Sequence, residues 1–96
     1  MKQERIKKMK QKDLIRAHEF SANNKPALQE DDRCGCFYCG RIFEPAVIEE
    51  FHFADNPIDN LGTAVCPYCG IDSVIGESSG YQIDNEFLEA MNQYWF

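Results

Sequence analysis

Two copies of the pattern Cys-x-x-Cys-Gly constrain this chain more than any other feature of its 96 residues. The first copy is CFYCG at residues 36–40, and the second is CPYCG at residues 66–70. Two residues between cysteines let both sulfurs reach one ion, and the glycine that follows tolerates the positive φ that closes the turn. The pattern therefore predicts one tetrahedral metal site with four ligands: Cys36, Cys39, Cys66 and Cys69.

The remaining composition favours a metal over disulfides as the reason for these cysteines. The chain has no apolar run of about 18 residues, and its basic first twenty residues lack the apolar stretch of a signal peptide. We therefore expect a cytoplasmic protein, and in that reducing compartment five cysteines are unsuited to a disulfide framework. A domain of this length buries only a small core, so a bound metal would contribute substantially to folding.

The segments around the cysteines resemble the two iron-binding loops of rubredoxins. Residues 36–45 read CFYCGRIFEP and residues 64–70 read AVCPYCG, which together cover 17 of the 96 residues. The resemblance includes Pro45 and Pro67, and it implies ligand roles for the four cysteines and one-electron transfer through iron. Arg41 departs from the pattern, because rubredoxins usually have an aromatic residue there. The basic N-terminal residues and the predicted C-terminal helix also have no counterpart in rubredoxins.

A longer segment, from CGCFYC through CPYCGIDSVIG to YWF, resembles small bacterial cytoplasmic proteins with a zinc-ribbon-like region. This resemblance covers about two thirds of the chain. It implies a zinc-ribbon-like fold and a cytoplasmic location, and it implies no particular activity. The cysteine loops are also similar to those of the wider zinc-ribbon class, in which zinc is structural.

The cysteine spacing leaves the metal open between zinc and a single iron, since both accept four tetrahedral thiolates. We expect zinc and keep iron as the alternative. Four thiolates leave no position for a reactive water, so we expect no enzymatic activity. Other side chains suited to acid–base work show no spacing typical of a triad or a hydrolase motif: His18, His52, Asp72, Ser73 and Glu77.

The fifth cysteine, Cys34, precedes the first ligand by two residues. We interpret it mainly as a spare thiol beside the metal site, with a redox-sensitive thiol or a substitute ligand as the sharper alternatives. His52 is a weaker substitute ligand, and a partly buried histidine between Phe51 and Phe53 is the more ordinary interpretation.

Charge is divided unevenly along the sequence. Residues 1–41 contain all ten Lys and Arg and six acids, a net charge of +4, whereas residues 42–96 contain ten acids and no Lys or Arg. The basic residues near the N-terminus are possible contacts to nucleic acid or a partner, but a metal-binding half with charge −10 disfavours nucleic acid. They can instead pair with the acidic half of a second copy. They are Lys2, Arg5, Lys7, Lys8, Lys10, Lys12 and Arg16.

The first third of the chain predicts one helix. Residues 13–20 can form a helix with an apolar side of Leu14, Ile15, Ala17 and His18. Asn23, Asn24 and Pro26 end it, and ALQEDDR reads as a turn or linker.

The remainder predicts short strands and two helices. RIF, TAV and IDSVIG favour strands, with IDSVIG returning beside TAV, and PAVIEEF favours a short helix with Val47, Ile48 and Phe51 on one face. Asp84 predicts the N-cap of a helix from Asn85 to about Tyr94. Ile83 and Leu88 are spaced as a hydrophobic staple, and the apolar stripe of that helix is Phe87, Leu88, Met91, Tyr94 and Trp95. The expected core aromatics are Phe37, Phe43, Phe51, Phe53, Tyr68 and Phe87.

Together these signals predict an α+β fold: a zinc-ribbon or rubredoxin-like double-knuckle module with short β-strands, an N-terminal helix and a C-terminal helix. Residues 1–33 form the basic arm and helix, and residues 34–96 form the four-cysteine metal-binding domain. We expect a non-enzymatic protein with a structural metal that acts through a protein partner or self-association, and not at a membrane. Rubredoxin-like electron transfer is the alternative, and nucleic-acid binding through the arm is the third.

Overall fold

The computed structural model describes residues 10–53 and 61–96. It confirms a small α+β fold of three helices and short antiparallel strands. The helices are α1 (Gln11–Glu19), α2 (Lys25–Leu28) and α3 (Asn85–Trp95). The strands are β1 (Cys34–Cys36), β2 (Ile42–Phe43), β3 (Phe51–His52), β4 (Thr63–Ala64) and β5 (Val74–Gly76).

The strand β1 lies at the centre of a three-stranded sheet, between β2 and β5. Cys34 is opposite Phe43 on one side, and Cys36 is opposite Val74 on the other. Because β1 leads into the first Cys-x-x-Cys pair and β5 follows the second, this pairing brings the two pairs together. The sheet is thus the scaffold of the four-cysteine site.

The predicted pairing of IDSVIG with TAV is wrong. TAV contributes β4, which pairs with β3 in a separate two-stranded sheet, and IDSVIG contributes β5, which pairs with β1. The physical reason is burial, since β1 and β5 each consist entirely of buried residues and pair side by side as antiparallel strands of one sheet. Local turn signals between TAV and IDSVIG gave no information about this long-range partner.

The predicted helix PAVIEEF is also wrong beyond its first turn. Only Pro45–Val47 form a turn of 3-10 helix, and Ile48 already has extended backbone angles. Phe51 then begins β3, and the amide of Val65 donates to the carbonyl of Glu50 at 3.0 Å. Pairing with the β4 segment supplies backbone hydrogen bonds that override the helical spacing of the apolar residues.

Two clusters of buried side chains form the core. One lies between α1, α3 and the sheet: Leu14, Ala17, Phe37, Ile75, Ile83, Phe87, Leu88 and Met91. The other surrounds the cysteines: Leu28, Cys34, Cys36, Phe43, Ile48, Ala64, Cys66 and Val74. The N-terminal helix therefore packs into the same core as the metal-binding segment, and the division of the chain at residue 33 stays a prediction.

The predicted core aromatics have mixed outcomes. Phe37, Phe43 and Phe87 are buried, as expected, and Phe51 is partly buried against the cysteine cluster. Phe53 and Tyr68 are 54% and 52% exposed, so their assignment to the core was wrong. Tyr68 is exposed because it lies at the tip of a tight turn between two cysteines that point inward, and Phe53 follows the last residue of β3.

The helix α1 packs against α3 through part of its predicted apolar side. Leu14 and Ala17 are buried, and the His18 ring lies 4.0 Å from the ring of Trp95. The indole nitrogen of Trp95 also donates to the carbonyl of Leu14 at 3.0 Å. Ile15 is 43% exposed and does not belong to this face, because it points away from the direction set by Leu14 and Ala17.

The helix α3 begins as predicted. The carboxylate of Asp84 accepts a hydrogen bond from the amide of Phe87 at 2.9 Å, which satisfies one of the free donors of the first turn. Ile83 and Leu88 are both 2% exposed and lie in the same cluster, as expected for a hydrophobic staple. The helix continues to Trp95, one residue beyond the predicted end.

The linker predicted over ALQEDDR contains part of a short helix. The turn α2 starts directly after Asn24, with Pro26 in its first turn, where a missing amide costs nothing. Asn24 is buried, and its side chain donates to the carbonyls of Phe20 and Val74 and accepts from the amide of Ala64. This one amide group ties both sheets to the end of α1.

The helices within residues 10–53 and 61–96 are all too short or too polar to span a bilayer.

Candidate metal centre

Each Cys-x-x-Cys-Gly segment forms a tight turn, which we call the first knuckle (residues 36–40) and the second knuckle (residues 66–70). In the first, the amide of Gly40 donates to the carbonyl of Cys36 at 2.8 Å, and in the second the amide of Gly70 donates to Cys66 at 2.9 Å. The two glycines have φ of +84° and +80°. This left-handed conformation explains why glycine follows each pair.

The knuckles bring all four predicted sulfurs together, within 4.8 Å of one another. The sulfurs of Cys36 and Cys69 are 3.6 Å apart, and those of Cys39 and Cys66 are 3.8 Å apart. Four sulfurs at about 2.3 Å from a tetrahedral metal would be separated by about 3.8 Å. The separations far exceed the S–S bond length of about 2.05 Å, and all five cysteines are free. The cluster fits a single metal ion.

Backbone amides inside the knuckles point at the buried sulfurs. The amides of Tyr38 and Cys39 donate to the sulfur of Cys36 at 3.4 and 3.5 Å, and the amide of Tyr68 donates to Cys66 at 3.4 Å. These donors favour thiolates and fix the orientation of the first cysteine of each pair. Either zinc or iron is compatible with such a cage.

Ser73 is part of the site, and the sequence interpretation missed its role. Its hydroxyl lies 3.1 Å from the sulfur of Cys36, and its side chain is almost completely buried. The backbone carbonyl of Ser73 also accepts from the amide of Phe37 at 3.0 Å. A polar residue directly before the apolar strand β5 was the available signal, but it does not identify a partner 37 positions away.

Burial and hydrogen bonds shift the pKa values of the cysteines in opposite directions. Burial alone would raise the pKa of Cys36, but hydrogen bonds from Ser73 and from the amides of Cys39 and Tyr38 bring its pKa below the ordinary 9.0. Burial raises the pKa of Cys69 to about 12 and also raises the pKa of Cys39. Cys36 therefore loses its proton more readily than Cys39 and Cys69, from which a metal must displace protons.

The ligands differ in exposure. Cys36 and Cys66 are buried, Cys69 is partly buried, and Cys39 is exposed. Cys39 lies on the wall of a groove of about 300 Å³ between the first knuckle and α3. The groove is lined by Tyr38, Cys39, Gly40, Asn85, Leu88, Glu89 and Asn92.

Cys34 lies apart from the four-sulfur cluster. It is fully buried, and its thiol lies 3.5 Å from the carbonyl of Phe43. Burial, followed by the negative charge of Asp31, raises its pKa to about 12. These features are those of the spare, structural thiol, since a reactive thiol is normally accessible and has a depressed pKa.

His52, the other residue considered as a substitute ligand, also lies outside the four-sulfur cluster. His52 is exposed and pairs with the carboxylate of Glu50 at 3.2 Å, which corrects the expectation of a partly buried ring. Asp72 and Glu77 are exposed as well. Of the residues considered for acid–base work, Ser73 alone contacts a metal-site cysteine within the described residues.

Only some of the basic residues near the N-terminus are among the residues that the structure describes. Lys2, Arg5, Lys7 and Lys8 lie outside the described residues. Lys10, Lys12 and Arg16 are exposed at or within α1. Their predicted contact with nucleic acid or a partner stays a prediction.

Aromatic side chains flank both knuckles. The guanidinium of Arg41 lies over the ring of Tyr68, 4.7 Å from its centroid, so this residue links the first knuckle segment to the second. Phe43 also contacts Tyr68, with ring centroids 5.4 Å apart. On the other side, Tyr38 packs edge-on against Phe96 at 4.8 Å, and the side-chain amide of Asn92 donates to the carbonyl of Tyr38 at 3.0 Å.

Comparison of the chain with protein-family models, curated proteins and solved structures gave no match. The resemblances to rubredoxins and to bacterial zinc-ribbon proteins therefore stay predictions.

Proposed function

We propose that this is a small non-enzymatic zinc-binding protein in which the metal joins the two knuckles and stabilises the fold. The observation that carries the proposal is the convergence of Cys36, Cys39, Cys66 and Cys69 from two distant segments to within 4.8 Å. Cysteine-only sites of this type are typical of structural zinc. Bound zinc would supply on the order of 10 kcal/mol of folding free energy at neutral pH.

The donor set supports a structural rather than a catalytic metal. A catalytic zinc keeps one position for water or substrate, whereas four cysteines complete a tetrahedral shell. The buried sulfurs of Cys36 and Cys66 also receive amide hydrogen bonds that hold them in place. In this proposal the four cysteines bind the ion and exclude water and other ligands.

The functional part of the proposal is association with a protein, either a partner or a second copy. Large apolar side chains beside the knuckles are well exposed, among them Tyr38 at 48%, Tyr68 at 52% and Phe96 at 61%. Exposed aromatic groups are enriched at protein interfaces. In addition, no acidic group within residues 10–53 and 61–96 forms an ion pair with a Lys or Arg of this part.

Rubredoxin-like electron transfer through iron is the second candidate. It is favoured by the amides that donate to the sulfurs and by the exposure of Cys39, which places one ligand at the surface. Both features would tune an iron centre and shorten the path for an electron.

Metal analysis and colour of protein isolated from its native host separate these candidates. A colourless protein with one zinc per chain supports the structural role, and a red protein with iron supports electron transfer. Sizing and affinity capture from the same cells test the association. A protein that has zinc but neither partner nor oligomer would overturn the functional part of the proposal.

A further inference from the structure

We propose that Cys39 is a modification site at which small hydroperoxides act, forming a disulfide between Cys39 and Cys66 that dismantles the metal site. The inference rests on the proposed function, because it assumes that the four cysteines hold a metal as thiolates. The difference in exposure among the ligands and the groove beside the first knuckle carry it.

Cys39 is the metal-site sulfur that a reagent in solution reaches most easily. Cys39 is exposed, whereas Cys69 is partly buried and Cys36 and Cys66 have 0% and 1% of their surface accessible. The groove of about 300 Å³ beside Cys39 is large enough to admit a small hydroperoxide to its sulfur. The other candidate thiol, Cys34, is completely buried and is closed to such a reagent.

Cys66 is placed to act as the resolving thiol, the one that attacks the oxidised sulfur of Cys39. The sulfur of Cys66 lies 3.8 Å from that of Cys39 and accepts one amide hydrogen bond, from Tyr68. The sulfur of Cys36 accepts from Tyr38 and Cys39 and also contacts the hydroxyl of Ser73. Because these bonds hold electron density on Cys36 and fix its orientation, Cys66 is the freer nucleophile.

The chemistry balances with the hydroperoxide as oxidant. The Cys39 thiolate attacks the peroxide oxygen, an S–O bond forms, and the O–O bond breaks to release an alcohol, or water from hydrogen peroxide, after protonation. The Cys66 thiolate then attacks the sulfur of the Cys39 sulfenic acid, an S–S bond forms, and the departing hydroxide takes a proton to become water. Sulfur loses two electrons overall, and the hydroperoxide gains them.

Formation of this disulfide removes one ligand from each knuckle. The S–S distance must shorten from 3.8 Å to about 2.05 Å, and the two sulfurs then no longer bind as thiolates. Two cysteines remain, which is too few for a closed structural site. Release of the metal is therefore the expected consequence, and a thiol reductant restores the ligands.

The test treats the zinc-loaded full chain with one equivalent of hydrogen peroxide. A chromogenic chelator measures zinc release, and non-reducing peptide mapping identifies the first disulfide. We expect a Cys39–Cys66 bond and release of one zinc for each bond. A first disulfide that contains Cys34, or a peptide map in which Cys39 is the last thiol to react, would overturn the proposal.

Variants separate access from ligand chemistry. Cys39→His keeps a zinc ligand that does not form a disulfide, and it should release zinc roughly tenfold more slowly than the wild type. Cys34→Ser should release zinc at the wild-type rate. An equal rate for Cys39→His and the wild type contradicts the proposal.

A second pair of variants leaves every ligand in place. Asn85→Trp fills the groove, whereas Gln93→Trp adds the same ring to an exposed position of α3 outside the groove lining. With a bulky organic hydroperoxide, only Asn85→Trp should slow zinc release, and equal slowing by both would contradict access through the groove. Zinc analysis before oxidation separates failure of this inference from failure of the proposed zinc site, because mapping of Cys39 does not require that metal be bound.

Discussion

The two knuckles share a sequence pattern and a backbone geometry, yet they are held by different parts of the molecule. The first is supported from far along the chain, by the Ser73 hydroxyl on Cys36 and by Asn92 and Phe96 at the end of α3. The second is supported from the segment that follows the first knuckle, through Arg41 and Phe43 on the ring of Tyr68. A local motif can thus specify a ligand pair while its stability depends on distant contacts.

The residue directly after the first cysteine differs in burial between the two knuckles. Phe37 is 1% exposed and belongs to the cluster that joins α1 and α3. Its counterpart, Pro67, is exposed. Phe37 therefore anchors the first knuckle in the cluster between α1, α3 and the sheet, whereas the second knuckle contributes Cys66 only to the cluster around the cysteines.

Replacing a cysteine ligand should cause the largest loss of zinc binding and stability, and the loss should be the same in both knuckles. Cys36→Ser and Cys66→Ser each remove one of four thiolates, so each should abolish stoichiometric zinc binding and cost much of the order of 10 kcal/mol that the ion contributes. Metal analysis and chemical unfolding measure this. Cys34→Ser is the matched control, since its thiol is buried outside the cluster, and it should retain one zinc per chain. Zinc retained by either ligand variant would contradict the four-cysteine site.

The next effect should differ between the knuckles. Phe37→Ala removes a buried ring and should lower the free energy of unfolding of the zinc-loaded protein by about 3–5 kcal/mol. Pro67→Ala changes an exposed position, so its effect should stay within about 1 kcal/mol. Denaturant unfolding of the two variants side by side checks this, and similar losses would break the proposed distinction.

Ser73→Ala should weaken the first knuckle through the pKa of Cys36. Because hydrogen bonds lower that pKa in the folded state, their contribution is fully present above pH 9.0 and is lost as the pH falls through the lowered value. Without the hydroxyl the pKa rises, so protons compete better with the metal, and the pH midpoint of zinc release should move upward. The loss in stability should be about 1–2 kcal/mol.

A pH titration of zinc release measures this shift, with Ser79→Ala as the control. Ser79 also donates a hydrogen bond, but to the backbone of Gly76 and not to a cysteine. A midpoint that moves equally in both variants would show that the Ser73 contact has no specific effect on the thiol.

The smallest losses of stability should come from removing the side chains that contact Tyr68 and Tyr38. Arg41→Ala removes the cation over Tyr68, and Asn92→Ala removes the hydrogen bond to Tyr38, each worth about 0.5–1 kcal/mol. Amide hydrogen exchange should show faster opening at residues 66–70 in the first variant and at residues 36–40 in the second. Faster exchange at the same knuckle in both variants would contradict the claim that different contacts stabilise the two knuckles.

Features fixed by neighbouring residues were predictable from the sequence. The glycines after each pair, the Asp84 cap and the staple of Ile83 with Leu88 all act over five residues or fewer, so their patterns are visible directly. The grouping of the four cysteines spans residues 36–69, but it was predictable because the same short pattern occurs twice. Each of these is confirmed by the geometry.

Features that depend on distant contacts were not predictable. The partner of β5, the extended conformation of Ile48 and the contact of Ser73 with Cys36 are each decided by a segment far away in the sequence. Exposure of Tyr68 has a nearer cause, the inward direction of its neighbouring cysteines, and aromatic character alone gave the wrong answer. Tertiary context overrides local preference at such positions.

Metal content together with folding is the most direct test of the central claim that a metal joins the knuckles. The measurement is zinc per chain by elemental analysis, followed by circular dichroism and near-ultraviolet spectra as a strong chelator removes the ion. The account predicts one zinc per chain and loss of the native spectrum on its removal, restored when zinc is returned. A metal-free protein whose four cysteines are free and whose spectrum the chelator leaves unchanged would contradict it.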